Sequence, residues 1–335
     1  MTKKVRILVA GAGLFGREHL RTLAGMNGVE LAGVADVDQA AARQAAERFG
    51  APAWGADAKA LIERLQPDGL VVATPGQTHL ALAGAALARE VSVLVEKPVA
   101  MTAADVATLA DAEAASAGFV LPGHILRFSA PHRQLVEIVR SGEIGEVLAV
   151  ISRRYRDDDH AVRYTDIDPV LMTMIHDIDL ALWISGAAAA AVHAVRSPAG
   201  SHRSDTMMLA TDTRGSVWQL STAWTYPGAA VPADRLEVVG SHGGVELEVE
   251  THLRQYGATT RSIDLRSAPP DDALAAELAC FVDALRSGAR PGVVTLGDAW
   301  NGLVAAEAAM ASLRSGEVVR PPRVAGLDAI DGKGE

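Results

Sequence analysis

The chain has one cysteine, Cys280, so no disulfide framework can form within it. That fits a reducing compartment, and a cytoplasmic location is the expectation. Basic runs are missing, and the formal net charge is −10. Both features argue against a non-specific nucleic-acid or anionic-membrane surface, which needs clustered Lys and Arg. No apolar segment is long enough to span a bilayer. The N-terminus is basic and then apolar, as a secretory signal would be. Its apolar run is short and breaks into glycines, so no leader is expected. There is no tandem repeat, and no metal site is expected. What is present is 335 residues, 49% hydrophobic and 21% charged. That balance is globular, and the length suffices for two domains with their own cores.

The stretch VRILVAGAGLFGREHL carries the strongest signal. Residues 5–10 read as a buried parallel strand and 14–26 as a helix. Gly11, Gly13 and Gly16 stand between and at the helix start as G-x-G-x-x-G. Gly11 permits a tight turn, Gly13 lets a pyrophosphate approach the backbone, and Gly16 lets helix and strand pack closely. The helix N-terminus favours the phosphate charge. A second strand, 29–35, ends in Asp36, about 20 residues past the glycines, where a carboxylate can hold a ribose 2′-hydroxyl. That acid repels a 2′-phosphate, and Val37 and Asp38 add no cation, so NAD is expected over NADP. The competing role for Asp36 is to cap the helix that starts near Asp38.

Strands and helices then alternate as far as about residue 122. Helices are expected at 39–49, 58–65, 77–89 and 103–117, and strands at 69–73, 91–95 and 119–121. Continuous apolar strands in a βαβα rhythm mean a parallel sheet covered on both faces. Beyond Pro122-Gly123 the rhythm changes. Helices at 132–141 and 170–185 flank a strand at 147–156. From 191 to 265 apolar and polar residues alternate between turns, the pattern of an antiparallel sheet with one covered face. Helices at 272–287 and 296–315 close the fold, and the tail past Pro321 reads as loose. The expected division is 1–122, a doubly wound Rossmann domain, and 123–335, an α/β domain with a large antiparallel sheet.

Two loops leave the ends of parallel strands: Thr74-Pro75-Gly76-Gln77-Thr78-His79 and Glu96-Lys97-Pro98. Ligands in such sheets bind outside those ends. A partly desolvated lysine there can shuttle protons, although pairing of Lys97 with Glu96 is the plainer reading. A second polar cluster lies in DPVLMTMIHDIDLALW. Asp168 and Pro169 have the form of an N-cap and first-turn pair. Met172, His176 and Asp179 share one helix face by spacing.

The set GAGLFG, VADVD, ATPGQTH, VLVEKPVA, GHILRF, MIHDIDLALW and LEVVGSHGGVELE resembles the glucose–fructose oxidoreductase / inositol dehydrogenase family (Gfo/Idh/MocA) over nearly the whole chain. The resemblance implies a Rossmann domain and a second domain whose open sheet mediates dimers or tetramers. It implies nicotinamide-dependent oxidation of a secondary alcohol on a sugar or cyclitol, or the reverse reduction. Lys97 then matches the lysine that contacts the substrate hydroxyl, and His176 the general base. Leu14, Phe15, Thr74, Pro75, His79, Glu96 and Lys97 join the glycines and Asp36 in the cofactor set. Arg127, Tyr155, Asp157 and Met172 join Lys97 and His176 on the substrate side. Met172 departs from the inositol dehydrogenases, which carry aspartate at that position. Asp157, Asp168 and Asp179 are candidates to compensate. Arg153, Tyr155 and Asp157 alternate with Arg154 and Arg156, so the two sets face opposite ways. A solvated charge run around 157–159 is the competing reading of that segment. Trp183, Trp218 and Trp224 read as core or subunit contacts, and Cys280 as a small core residue. A non-catalytic nucleotide or sugar sensor, and a reductase of an imine or aldehyde, are the alternative functions. Retention of both Lys97 and His176 speaks against the sensor.

Overall fold

The computed structural model describes residues 4–228, 230–258 and 260–322. The tail past residue 322 lies outside them. The chain divides into two compact units. The first is Met1–Phe128 with Asp272–Ala299, and the second is Ser129–Asp271 with Trp300–Glu335.

The first unit is built on β1 (Val5–Ala10), β2 (Val29–Ala35), β3 (Trp54–Gly55), β4 (Gly69–Val72), β5 (Ser92–Glu96) and β6 (Val120–Gly123). Their order is β3-β2-β1-β4-β5-β6, and every pair is parallel. Ile7, Leu8, Val9, Leu70, Val71 and Leu94 are fully buried, as strands covered on both faces must be. The crossovers are α1 (Leu14–Gly25), α2 (Gln39–Phe49), α3 (Ala58–Leu65), α4 (His79–Leu87) and α5 (Ala103–Ala114). The strand order reverses where β1 neighbours β4, which makes their C-terminal ends the switch point for a ligand. The short strand β3 was not expected, because two residues carry no periodicity.

The second unit contains α6 (Ala130–Arg140), β7 (Val147–Asp157), α7 (Asp159–Arg163), α8 (Ile175–Ser185), β8 (Ala189–Ser197), β9 (Asp205–Asp212) and β10 (Val217–Tyr226). It continues through β11 (Arg235–Gly240), β12 (Gly243–Glu248), β13 (His252–Tyr256) and β14 (Arg261–Asp264). The eight strands run β14-β13-β12-β11-β7-β10-β9-β8. All pairs are antiparallel except β7 with β10. Burial alternates strictly along β9, so this sheet has one covered face. α6 and α8 pack on that face. Val195, Met207 and Leu209 are exposed on the opposite face.

Two helices follow, α9 (Ala273–Ser287) and α10 (Leu296–Ser315). Here the expected boundary is corrected. Leu278, Phe281 and Val282 of α9 belong to the core of the first unit, where Phe281 meets Phe119 edge-on with centroids 5.8 Å apart. The chain therefore leaves the Rossmann unit after Phe128 and returns to it at Asp272. Amphipathic spacing shows that α9 buries a face, and it does not show against which sheet. Cys280 is half-buried and packs against the same core.

Candidate active site

The glycine loop divides into two kinds of glycine. Gly11 has φ +103°, and a Cβ on it would lie 2.3 Å from the Ala73 carbonyl oxygen. A Cβ on Gly16 would lie 2.0 Å from the Gly11 carbonyl oxygen. The backbone itself requires glycine at both. Gly13 differs, since nothing lies within 4 Å of a Cβ built there. It is the N-cap of α1, with no side chain capping the first turn and no acid in it. Uncapped N–H groups at the positive helix end, next to open space, suit a diphosphate. Leu14 and Phe15 are exposed beside it.

Asp36 is half-buried at the end of β2. Its Oδ2 accepts the Ala12 N–H at 2.7 Å and its Oδ1 the Asp38 N–H at 2.9 Å. The cap of α2 is Asp38, whose Oδ1 accepts the N–H groups of Ala40 and Ala41. Asp36 instead ties β2 to the glycine loop.

His79, at the start of α4, bridges the two expected loops. Its Nδ1 lies 2.9 Å from the Pro98 carbonyl oxygen and its Nε2 2.7 Å from that of Thr74. Both acceptors are carbonyls, so only an imidazolium donates to both. Burial opposes that charge and holds the pKa below the ordinary histidine value, against the pull of the two carbonyls. At neutral pH the ring therefore donates to one loop at a time. Thr74 and Thr78 hydroxyls bond at 2.7 Å and close the same turn.

Glu96 ends β5 and is buried. Its Oε1 bonds His19 Nε2 of α1 at 2.8 Å, and its Oε2 accepts the Lys97 N–H at 3.3 Å. The Glu96 carboxylate is thus shared between His19 and the Lys97 backbone. Lys97 is half-buried, and the Lys97–Pro98 bond is cis. Arg127 is 3% exposed, its Nη2 lies 3.1 Å from Asp298, and its Nη1 donates to the Val293 carbonyl. This guanidinium ties the end of the β6 segment to the start of α10 within the first unit.

In the second unit, one turn of π-helix, Val170–Met174, leads directly into α8. π-Turns are rare and recur at functional sites. Across 170–182 every residue is buried except Met172 and His176, which keep partly open surface. Asp179, three residues after His176, is 1% exposed. Asp168 accepts the Val170 N–H at 2.9 Å, as expected of a cap, and also bonds Arg196 through both carboxylate oxygens. Asp177, fully buried, accepts from Ser152 Oγ at 2.6 Å and from Arg154 Nε at 3.1–3.2 Å. Arg154 also pairs with Asp234, which Arg156 contacts at 2.8 Å. Arg154 and Arg156 do face one way, as alternation predicts. Arg154 is buried, because the strand faces α8 and Asp177 compensates its guanidinium, while Asp159 in the 157–159 turn is exposed.

Arg153 lies over the Tyr155 ring at 5.4 Å, and Tyr155 stacks on Tyr226 at 5.4 Å. Asp157 bonds His160 Nδ1 at 2.9 Å, and that hydrogen bond holds its carboxyl below the usual range. Trp218 and Trp224 are fully buried core residues, and Trp224 Nε1 donates to Thr173 Oγ1 at 2.9 Å. Glu246, Glu248 and His252 have potential ligand atoms within 4.8 Å of one another, but Glu246 is already paired with Arg235 and His252.

A Rossmann sheet in 3-2-1-4-5-6 order, an uncapped glycine-loop helix and an acid tied to that loop define a nicotinamide-dinucleotide oxidoreductase architecture. Comparison with known proteins agrees. Residues 5–124 match the oxidoreductase family with NAD-binding Rossmann fold, and residues 132–246 match the Gfo/Idh/MocA C-terminal domain. The chain belongs to the Gfo/Idh/MocA oxidoreductase family. It is 31% identical to inositol 2-dehydrogenase 1 of Saccharopolyspora erythraea, over 96% of each chain. UDP-N-acetylglucosamine 3-dehydrogenase of Acidithiobacillus ferrooxidans superposes with TM-score 0.81 at 26% identity, covering 92% of this chain and 97% of that one. The fold of myo-inositol 2-dehydrogenase from Lactobacillus plantarum matches with TM-score 0.84 at 21% identity, covering 96% and 100%. Among the described residues no helix is long and apolar enough to cross a membrane.

Proposed function

We propose that the protein is an NAD-dependent dehydrogenase for a secondary alcohol of a sugar, cyclitol or derivative, working in either direction. The observation that carries this is the paired exposure of Met172 and His176 on an otherwise buried helical stretch, in a chain that also keeps Lys97 after Glu96. Gly13 and the first turn of α1 hold the diphosphate. Asp36 accepts from a ribose hydroxyl and repels a 2′-phosphate, which favours NAD over NADP. A nicotinamide held there would supply the acceptor for the hydride of the carbinol carbon. Neutral His176 accepts the hydroxyl proton as the ketone forms, and Lys97 orients that hydroxyl and relays the proton. Thr74, Pro75 and the His79 clamp shape the nicotinamide side.

Met172 offers a thioether where inositol 2-dehydrogenases have a carboxylate. A thioether is at most a weak acceptor for a substrate hydroxyl. A substrate with a less polar group at that point fits better than myo-inositol. The relatives are named for inositol and for a UDP-sugar, and both classes belong to the same chemistry. The uncovered sheet face, with Val195, Met207 and Leu209, supports a homodimer or homotetramer. A cytoplasmic location completes the reading.

The test is nicotinamide absorbance with NAD and NADP across cyclitols, aldoses, uronates and amino or nucleotide sugars. Turnover with one class is expected, with NAD preferred. Lys97→Met is expected to lose about three orders of magnitude in turnover while NADH still binds. Silence across the panel with tight NADH binding would replace this reading with a sensor. Turnover undiminished in Lys97→Met would remove Lys97 from the chemistry.

A further inference from the structure

At one end of its sheet the second unit gathers aromatic side chains around a single indole. Trp224 of β10 is fully buried, and its Nε1 donates to Thr173 Oγ1 of the π-turn at 2.9 Å. Around it stand His160 of α7, Tyr164 and His202, with ring centroids 5.8, 6.3 and 6.2 Å from the indole. His160 and Tyr164 meet each other at 5.5 Å. The pairing of β10 with β7 shifts register between Trp224 and Tyr226. Such irregularities recur beside functional sites, where they re-aim side chains.

The polar atoms separate this group from an ordinary core cluster. A core cluster pairs or hides its polar tips, as Trp224 does. His160, Tyr164 and His202 are only half-buried. Among the described residues, His160 Nε2, the Tyr164 hydroxyl and the ring nitrogens of His202 have no hydrogen-bond partner, and none of these atoms is buried. The three rings thus lay apolar bodies against Trp224 and keep their polar tips open. His160 is also set in orientation. Its Nδ1 lies 2.9 Å from Asp157 Oδ1. A neutral ring that donates there leaves Nε2 as an acceptor.

Flat apolar surface edged by an acceptor, a hydroxyl and a second imidazole suits a neutral sugar ring, which has a C–H face and a hydroxyl edge. Charge points the same way. Residues 157–163 hold three aspartates and one arginine, and Asp158 already takes the Arg203 guanidinium at 2.6 Å. That balance disfavours a carboxylate or phosphate ligand.

We propose that His160, Tyr164 and His202, backed by Trp224, form a subsite for a neutral saccharide ring, with His160 Nε2 accepting one of its hydroxyls. Thr173, which Trp224 holds, lies three residues before His176, so the ring bound here belongs to the substrate whose alcohol meets His176. That link rests on the reading of His176 given above, and it narrows the substrate class to neutral sugars and their glycosides over uronates.

The test is saturation-transfer NMR with calorimetric titration of the full-length protein, with and without NADH. The probes are methyl glycosides of the common neutral hexoses and pentoses, maltose and cellobiose, with glucuronate and inorganic phosphate as charged probes. At least one neutral probe is expected to bind, and neither charged probe is expected to compete with it. His160→Phe keeps a ring and removes the acceptor. Tyr164→Leu removes a ring and its hydroxyl. Each is expected to weaken the neutral probe about fivefold or more, with NADH affinity unchanged. Silence from every neutral probe would overturn the proposal, and so would wild-type binding in both variants. Glucuronate or phosphate bound in place of the neutral probes would overturn it in favour of an anion site. Should one variant fail to fold, the other decides alone. Failure of the dehydrogenase reading shows separately, as a neutral probe that binds here while no alcohol is turned over in the absorbance assay.

Discussion

In the first unit the proposed ligand surface is backbone: an uncapped helix end, a left-handed Gly11, and carbonyls gathered by His79. In the second unit the presented groups are side chains, and buried charge aims them. Asp177 follows His176 directly, and its bonds to Arg154 and Ser152 of β7 pin the first turn of α8 to the sheet. That pin turns His176 and Met172 toward open surface. The buried titratable groups differ accordingly. Glu277 in the first unit has no partner, whereas Arg154 in the second is compensated by two carboxylates. Backbone geometry suffices where the ligand part is invariant, as a diphosphate is. Side-chain aim is needed where a particular hydroxyl must be met.

Breaking the second unit's pin should have the largest effect on stability. Asp177→Ala leaves the Arg154 guanidinium with one fewer carboxylate and should cost about 3–5 kcal/mol in denaturant unfolding. A cost below about 1 kcal/mol would show that the pair does not hold α8.

The backbone claim for the first unit predicts a split between its glycines. Gly11→Ala meets the Ala73 carbonyl at 2.3 Å in a left-handed conformation and should destabilise by about 2 kcal/mol or more. Gly13→Ala meets nothing within 4 Å, so it should leave the melting temperature alone. It should still weaken NADH binding about tenfold or more, because the methyl occupies the phosphate's approach. Equal effects of the two substitutions on stability would erase the distinction.

Acid should sharpen the contrast from the second unit's side. Desolvation, aided by the Arg154 charge, lowers the pKa of His132 from 6.5 to about 3. The unfolded chain then binds more protons than the folded one between those values. Stability therefore falls as pH drops from 6.5 toward 3 and is flat for this group below that. His132→Gln should flatten this limb by an amount on the order of a few kcal/mol at its acid end. An unchanged limb would mean that other groups set it.

How much was legible follows the same division. The glycine motif, Asp36, both strand-end loops and the parallel sheet were readable because each is a local pattern with one structural solution. The choice between Asp36 and Asp38 as the cap was not, since both stand before α2 and only the fold places Asp36 on the Ala12 N–H. Strand alternation separated Arg154 from Arg153 correctly. It did not show that the Arg154 side is the covered one. The π-turn was invisible, because an apolar run satisfies any helix. The return of α9 to the first unit and the burial of Arg127 depend on partners far along the chain. Glu277 gave one signal, an acid on the face that Leu278 and Phe281 also bury, which amphipathic spacing does not interpret.

The most direct measurement is NADH affinity and turnover in His176→Ala, made side by side. The account predicts NADH binding within about twofold of wild type and turnover reduced about 10²–10⁴-fold, since the dinucleotide contacts belong to the first unit and the base to the second. Turnover retained, or NADH binding lost with it, would contradict that assignment.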